Sequence, residues 1–415
     1  MNKTKPFDIP KELVWEAFKL VKANKGAAGV DQQSIEDFEK NLSGNLYKLW
    51  NRMSSGTYFP PDVKGVEIPK KQGGTRILGI PTVSDRVAQM VVKLTFEPHV
   101  EPHFLKDSYG YRPNKSALDA IAITRSRCWQ YNWVLEYDIK GLFDNLDHGL
   151  LMKAVNKHTN NKWVILYIER WLKTPMRMPD GSLKEKTKGV MQGGVISPVL
   201  SNLFLHYTFD EWMRRNHPTT PWCRYADDGL AHCRTQSEAE GLLVALRERF
   251  KSCGLEMHPD KTKIVYCKDD RRKGDHQNTK FNFLGYEFRR RKVKGRNNTL
   301  FSSFNPAISK DAKKAISRKI RKLGVRNRSD LSLEEIAKWL NPVIRGVINY
   351  YGKFNKSALW PVMRHINLTL IKWSMQKYEK FRYSKARACL YIIDTFEKRT
   401  YLFAHWKQGI RGSFV

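Results

Sequence analysis

Residues Cys223 to Cys233, CRYADDGLAHC, set two adjacent carboxylates, Asp227 and Asp228, inside a short and largely apolar run. This stretch restricts the fold more than any other. A run of this length and character reads as strand, and consecutive side chains of a flat strand point to opposite faces. Both acids therefore cannot leave one face of a flat ribbon. A turn between two strands removes the conflict: Tyr225 before it, and Leu230 and Ala231 after it, flank a hairpin with both acids at its tip. Two carboxylates about 4 Å apart repel by about 1 kcal/mol in water and about 4 kcal/mol near a protein surface. A divalent cation reverses that sign, and Mg²⁺ is held by one or two carboxylates plus substrate phosphates. The pair makes physical sense beside a metal and a polyphosphate; the plain alternative is an ordinary Asp-Asp turn.

A second acidic stretch strengthens the metal reading. EYDIKGLFDNLDH, residues 136–148, places Asp138 at the end of an apolar strand spanning about 133–139. A strand ending there delivers a third carboxylate toward the hairpin tip. Three acids around two cations about 3.5–4 Å apart is the arrangement that drives nucleotidyl transfer. Asp144 and Asp147 read instead as helix-start or surface acids.

The charge points to a polyanion. The chain of 415 residues carries a formal +33, and 30 Lys and Arg against 7 Asp and Glu fall between Arg289 and Val415, a net +23. Nucleic acid is the first partner that such a balance suggests. Hydrophobic content of 41% with 12% aromatic residues excludes a disordered tail. The six cysteines form no CxxC pair, and Cys223, His232 and Cys233 lack a fourth ligand for zinc, so free thiols in a reducing cytosol are expected. The N-terminus has no apolar signal segment, and no run reaches the length of a membrane span, so no membrane partner is expected.

Helices and short strands mix over the first ~290 residues, which gives an α+β expectation. A helix is predicted over 11–23. A β-hairpin is predicted over 63–80, around Gly73-Gly74, and a long helix over 84–97. The basic run from Phe288, FRRRKVKGRNN, reads as a mobile connector. Beyond it helical patterns are expected over 309–323, after a capping box at Ser332 and Glu335, and over 359–378, with Pro342 kinking or restarting the middle helix.

Several blocks, taken in order, resemble the reverse transcriptases encoded by group II introns, also called intron maturases. They are IPKKQGGTRILGIPTVSDRVAQ (68–89), DSYGYRPNKSALDA (107–120), DIKGLFDNLDH (138–148), GVMQGGVISPVLSNLFL (189–205), RYADD (224–228), HPDKTK (258–263), FNFLGYEF (281–288) and NPVIRGVINYYGKF (341–354). The resemblance implies a right-hand polymerase with an antiparallel palm sheet, followed by an all-helical thumb or maturase domain X. It implies an N-terminal extension and fingers over 1–125, a palm over 126–290, a basic helical thumb over 291–385, and a short basic tail over 386–415 as a DNA-binding remnant. It assigns Asp138, Asp227, Asp228 and the backbone of Ile139 to a site for two Mg²⁺, with Mn²⁺ able to substitute.

Further roles follow from matched positions. Lys70 and Arg76, on the two sides of the Gly-Gly hairpin, would clamp the triphosphate of an incoming nucleotide; the bland alternative is a solvated basic hairpin. Phe143 stands where the family places a bulky residue under the sugar, against the alternative of a core phenylalanine. Gln192 would approach nucleotide or template, beside glycines that permit close backbone approach. Arg112, Lys261 and the turn Leu284, Gly285 and Tyr286 would serve template and primer. Of the C-terminal aromatics Tyr350, Tyr351, Trp360 and Trp373, most are expected in the thumb core rather than as stacking platforms.

The implied partners are an RNA template, a DNA or RNA primer, deoxynucleoside triphosphates, structured group II intron RNA and target DNA, in a bacterial cytosol; monomer and homodimer both stay open. No paired cysteines or histidine cluster after the thumb suggest an HNH endonuclease, so no self-contained DNA cleavage is expected. Two other functions compete with an intron-encoded enzyme that assists splicing and copies its RNA. One is a free-standing cellular reverse transcriptase acting in repair or phage defence. The other is an RNA-binding splicing cofactor without polymerase activity, against which the intact acids argue.

Overall fold

The computed structural model describes residues 5–69, 73–295 and 297–409. The chain divides into two compact units, Met1–Ala120 with Leu135–Lys263, and Ile121–Val134 with Ile264–Val415. Among the described residues, eleven strands lie in three sheets. They are β1 (Val63–Pro69), β2 (Thr75–Ile80), β3 (Trp133–Asp138), β4 (Met176–Arg177), β5 (Leu183–Lys184), β6 (Trp222–Tyr225), β7 (Asp228–Cys233), β8 (Lys263–Tyr266), β9 (Lys280–Phe283), β10 (Tyr286–Lys294) and β11 (Leu300–Ile308). The orders are β2–β1–β4–β5, β6–β7–β3–β8 and β11–β10–β9. The chain passes from one unit to the other within β3 and β8.

In the first unit the helix Lys11–Asn24 buries Val14, Ala17, Phe18 and Val21, the stripe its 3.6-residue period predicts. The hairpin around Gly73-Gly74 is present: β1 and β2 pair antiparallel from Lys64↔Ile80 to Pro69↔Thr75. Gly73 (φ 94°) and Gly74 (φ 75°) both take the left-handed backbone that glycine adopts at low cost. The helix Val83–Val100 starts on Thr82, whose hydroxyl accepts the Asp85 N–H at 3.1 Å. Within it Asp85 is buried and accepts hydrogen bonds from Tyr58, Trp171 and Gln89. Desolvation pushes the Asp85 carboxyl above its ordinary range.

The second unit is helical apart from its sheet. Helices Lys310–Lys322, Leu333–Tyr351, Trp360–Lys377 and Lys385–Lys398 share a core that includes Ile336, Leu340, Ile344, Leu370 and Trp373. The capping box forms as its spacing indicates: Ser332 Oγ accepts the Glu335 N–H at 3.2 Å, and Glu335 Oε2 accepts the Ser332 N–H at 2.7 Å. Pro342 does not restart the helix, which runs on to Tyr351. Proline inside a helix costs about 3 kcal/mol; buried apolar residues on both sides, Leu340 before and Ile344, Val347 and Ile348 after, offset that loss. Trp373 is fully buried, Tyr350 and Tyr351 are half-buried against Tyr286, and Trp360 is exposed.

The basic run after Phe288 is a strand and not a mobile connector. β10 pairs with β11 in an unbroken antiparallel register from Tyr286↔Ile308 to Lys294↔Leu300. Its partner supplies the buried Phe304, Ala307 and Ile308, while the cations of β10 point largely to solvent. From Arg289 on, every polar residue of β10 is a cation, so the strand lacks the alternation that normally marks one in sequence.

Candidate active site

The hairpin at residues 222–233 forms as the adjacent acids require. Tyr225 pairs with Asp228, leaving Ala226 and Asp227 as a two-residue turn. Ala226 has φ 55°, the sign that a tight hairpin needs at its first central position and that glycine usually supplies. A non-glycine residue there stores about 1–2 kcal/mol.

A fully buried ion pair braces the turn. Arg224, 0% exposed, donates from Nε and Nη2 to the two carboxylate oxygens of Asp210 at 2.8 and 2.7 Å. Its remaining donors reach Ser108 Oγ (2.8 Å), Asn202 Oδ1 (3.1 Å) and the carbonyl of Ala226 (3.2 Å). Asp210 ends a π-helical turn, His206–Asp210, set between helices Ser197–Leu205 and Glu211–Asn216. Such turns are frequent at functional sites. The segment before Tyr111 leans on the same strand: Tyr109 N–H donates to the Arg224 carbonyl at 2.9 Å, and Arg224 N–H to that of Asp107 at 3.0 Å. A Cβ on Gly110 would overlap the Ala226 backbone nitrogen, so only glycine permits this approach.

The third acid arrives on β3, beside β7. The Asp138, Asp227 and Asp228 carboxyls lie within one another's electrostatic reach. Burial, then the charges of Asp227 and Asp138, push Asp228 up to about 7. Burial, followed by Asp138, also raises Asp227. Lys261 answers part of this negative charge, with Nζ 3.0 Å from Asp138 Oδ2. Beside Asp138, the backbone at Ile139 is fixed by its neighbours: the Asp138 carbonyl accepts the His258 N–H at 2.8 Å, and Lys140 N–H donates to the Glu256 carbonyl at 2.9 Å. Tyr137 packs over Gly229, where a Cβ would overlap its ring. This contact sets β3 and β7, and hence Asp138 and Asp228, at their separation. Gly229→Ala is expected to cost about 1–3 kcal/mol by overpacking and to lower the turnover rate as well as the melting temperature; thermal unfolding and primer extension on one preparation check both.

Three carboxylate oxygen donors that repel one another suit a hard divalent cation. Among the described residues no three metal-ligating side chains form a ready-made cage. A site that borrows ligands from a nucleotide's phosphates need not contain one.

The other residues singled out in the sequence fall as follows. Phe143, in the short helix Leu142–Asn145, is half-buried and not a core residue. Its carbonyl accepts the Val190 N–H at 2.6 Å, and a Cβ on Gly189 (φ 84°) would come 2.7 Å from that same oxygen. Gln192 Nε2 donates to Asp144 Oδ2 at 3.3 Å, and its carbonyl accepts the Gly79 N–H of β2 at 2.7 Å. Gln89 Oε1 holds the following loop through the Val195 N–H at 2.7 Å. Arg76, exposed on β2, is one of the charges felt by Tyr111, together with Asp227 and Asp228. Lys70 lies outside the described residues. Asp144 is an exposed acid, and Asp147 caps the helix His148–His158 by accepting the Leu150 N–H at 2.7 Å.

Arg112 is not presented to a template. Its side chain is 7% exposed, and its donors are taken by Glu101 Oε1 (2.9 Å) and the carbonyls of Leu105 (2.7 Å) and Ser108 (2.8 Å). Five donors in a rigid fork suit bracing a loop as well as gripping a phosphate. In the second unit, Leu284 (φ 51°) and Gly285 (φ 81°) form the tight turn between β9 and β10. The Tyr350 hydroxyl donates to the Leu284 carbonyl at 2.9 Å, and the buried Tyr286 hydroxyl bonds the Tyr350 carbonyl. Tyr286 thus acts as a packing residue for this turn.

Sequence reasoning missed Arg224 with Asp210, and Tyr111. For Arg224 a signal existed: an arginine inside an apolar strand must be paired. Tyr111, 51% exposed at φ 58°, carried only the hint of its neighbouring Gly110.

The family described as reverse transcriptase (RNA-dependent DNA polymerase) matches residues 68–288, and the group II intron maturase-specific domain matches residues 313–390. Protein YkfC of Escherichia coli K12 is 30% identical over 320 residues, covering 68% of this chain and 81% of its own. The group II intron-encoded protein LtrA of Lactococcus lactis subsp. cremoris is 31% identical over 198 residues, 47% of this chain and 32% of its own. Nuclear intron maturase 1 of Arabidopsis thaliana mitochondria is 28% identical over 136 residues, 32% of this chain and 19% of its own. With more than half its length matched by the polymerase family and a maturase-specific region behind it, the chain belongs to the reverse transcriptases, in the branch that carries the group II intron maturase domain.

Proposed function

We propose that this chain copies RNA into DNA by nucleotidyl transfer at Asp138, Asp227 and Asp228 over two Mg²⁺ ions, and that it binds its own intron RNA to assist splicing and retrohoming. Dependence on a divalent metal and binding of RNA follow from the family in general; magnesium, the primer, the target DNA and the residues belong to this proposal. The observation that carries it is the convergence of the three carboxylates, with Asp228 pushed up to about 7. When bound, metal ions supply activation of the primer 3′-hydroxyl and stabilisation of the leaving pyrophosphate. The chain's own residues do the rest. Asp138, Asp227 and Asp228 would hold the ions. Arg76 and Lys70 clamp the triphosphate, Arg through its planar fork of donors. Gln192 lines the nucleotide's approach, held through its carbonyl to β2. Lys261 keeps the Asp138 carboxylate oriented.

Primer extension on an RNA template, with Mg²⁺ present and then chelated, tests this reading. Metal-dependent DNA synthesis supports it, and absence of synthesis under both conditions rejects it. Phe143 is the proposed sugar gate, since a ring at this position obstructs a 2′-hydroxyl. Phe143→Ala is expected to relax discrimination against ribonucleotides by about 10–200-fold, the range a single pocket contact commands. Competition between a ribonucleotide and its deoxy counterpart measures it, and unchanged selectivity rejects the gate.

A further inference from the structure

A cavity of about 650 Å³ opens in the second unit between β10, the helix Lys310–Lys322 and the turn at residues 355–358. Four consecutive cations of β10, Arg289, Arg290, Arg291 and Lys292, line it together with Lys313, and among the described residues no carboxylate does. Two acids nearby answer part of this charge. Glu287 accepts from Arg289 at 2.8 Å and from Arg291 at 3.3 Å, and Asp270 accepts from Arg290 at 2.6 Å. Five cations against two carboxylates leave a local excess of three. Burial, then the charge of Arg291, depresses Lys313, with Glu287 opposing the shift only in part, as expected where cations outnumber anions. The far wall is polar. Asn355 Oδ1 accepts from Ser357 Oγ (2.9 Å) and from the Ala358 N–H (3.1 Å), so the amide is held with its NH₂ donors directed elsewhere. The volume falls in the range of sites that enclose one small ligand, which fits a nucleotide-sized stretch of backbone better than the flank of a duplex.

We propose that this cavity is a subsite for the sugar–phosphate backbone of single-stranded or looped RNA, gripped chiefly by Lys292 and Lys313 with Arg289 and Arg291 behind them. Its β10 and β11 wall lies between the two family-matched regions 68–288 and 313–390, while Lys313 and the wall at 355–358 fall within the second. It deepens the reading of the chain as an RNA-binding maturase and rests on that reading, but it does not depend on polymerisation. A bare solvated charge face would offer neither the concavity nor the fixed amide.

The test uses the full chain and poly(U) RNA, with affinity measured across a salt series. Lys292→Gln with Lys313→Gln is the site variant, and Lys314→Gln with Lys322→Gln is the control. The control removes equal charge from exposed positions of the same helix that do not line the cavity. Each phosphate neutralised on a single strand contributes about 0.7 to the steepness of the salt dependence. The site variant is therefore expected to lose affinity on the order of tenfold and to flatten the slope by about 1.4, with the control changing much less and both variants melting normally. Unchanged affinity and slope in the site variant overturn the proposal, and so does an equal loss in the control, which marks diffuse attraction. A wild-type protein that binds poly(U) but fails to extend primers refutes the polymerase reading and leaves this one standing.

Discussion

Asp227→Ala combined with Asp228→Ala is expected to abolish RNA-templated DNA synthesis. The loss should be about 10³-fold or more, the scale on which removing a preorganised electrostatic group acts. RNA binding should largely survive, because the cations proposed to hold phosphate lie elsewhere in the chain. The same double variant should melt at a higher temperature than the wild type in chelator at neutral pH. Asp228 is raised from 3.8 to about 7 in the folded chain. An unfolded chain releases that proton first, so the group withdraws stability as pH rises from about 4 to about 7, and its removal restores it. Loss of activity with gained stability cannot come from misfolding. Extension at near-normal rate would place the metal site elsewhere, and a lowered melting temperature in chelator would show that the two acids do not oppose folding.

The second large effect is expected at the Arg224–Asp210 pair. Asp210→Ala leaves a guanidinium buried at 0% exposure without its bidentate partner. Breaking a buried pair on one side costs about 3–5 kcal/mol. Arg224→Met with Asp210→Leu removes both charges and should recover most of that stability. Activity should not recover with it, because the bond from Arg224 to the Ala226 carbonyl, which fixes the turn carrying Asp227, is still missing. Urea unfolding and primer extension on the single and double variants separate the two contributions. Recovery of activity together with stability would show that the pair serves packing alone.

These expectations draw on sequence and structure unequally. The tip at Ala226 and Asp227 was legible because two neighbouring acids in an apolar run admit few backbone geometries. Asp138 was legible because it ends an apolar strand, and the capping box because its two partners sit three residues apart. Each of these signals is local. Arg224 announces a need for a partner, but Asp210 stands 14 residues earlier on a π turn that no periodicity reveals. Arg112 was read as a template ligand from its matched position; only the path of the 101–108 segment shows its donors consumed at home. The strand β10 was hidden because cations filled both of its faces, and its register is dictated by β11. Where a residue's role depended on a distant segment, the sequence named the residue but not the role.

The path of the chain through β3 has a consequence for synthesis on the ribosome. Residues 121–134 emerge early yet belong with the unit that begins at Ile264, so their buried side chains Ile121, Thr124 and Cys128 lack their final neighbours until some 130 further residues have been made. At about 5–20 residues per second that interval lasts on the order of ten seconds, during which the nascent helix, with those side chains uncovered, is a natural client for chaperones. Dividing the gene near codon 264 would strand this helix with the wrong half, so two separately expressed fragments should be poorly soluble unless they are produced together.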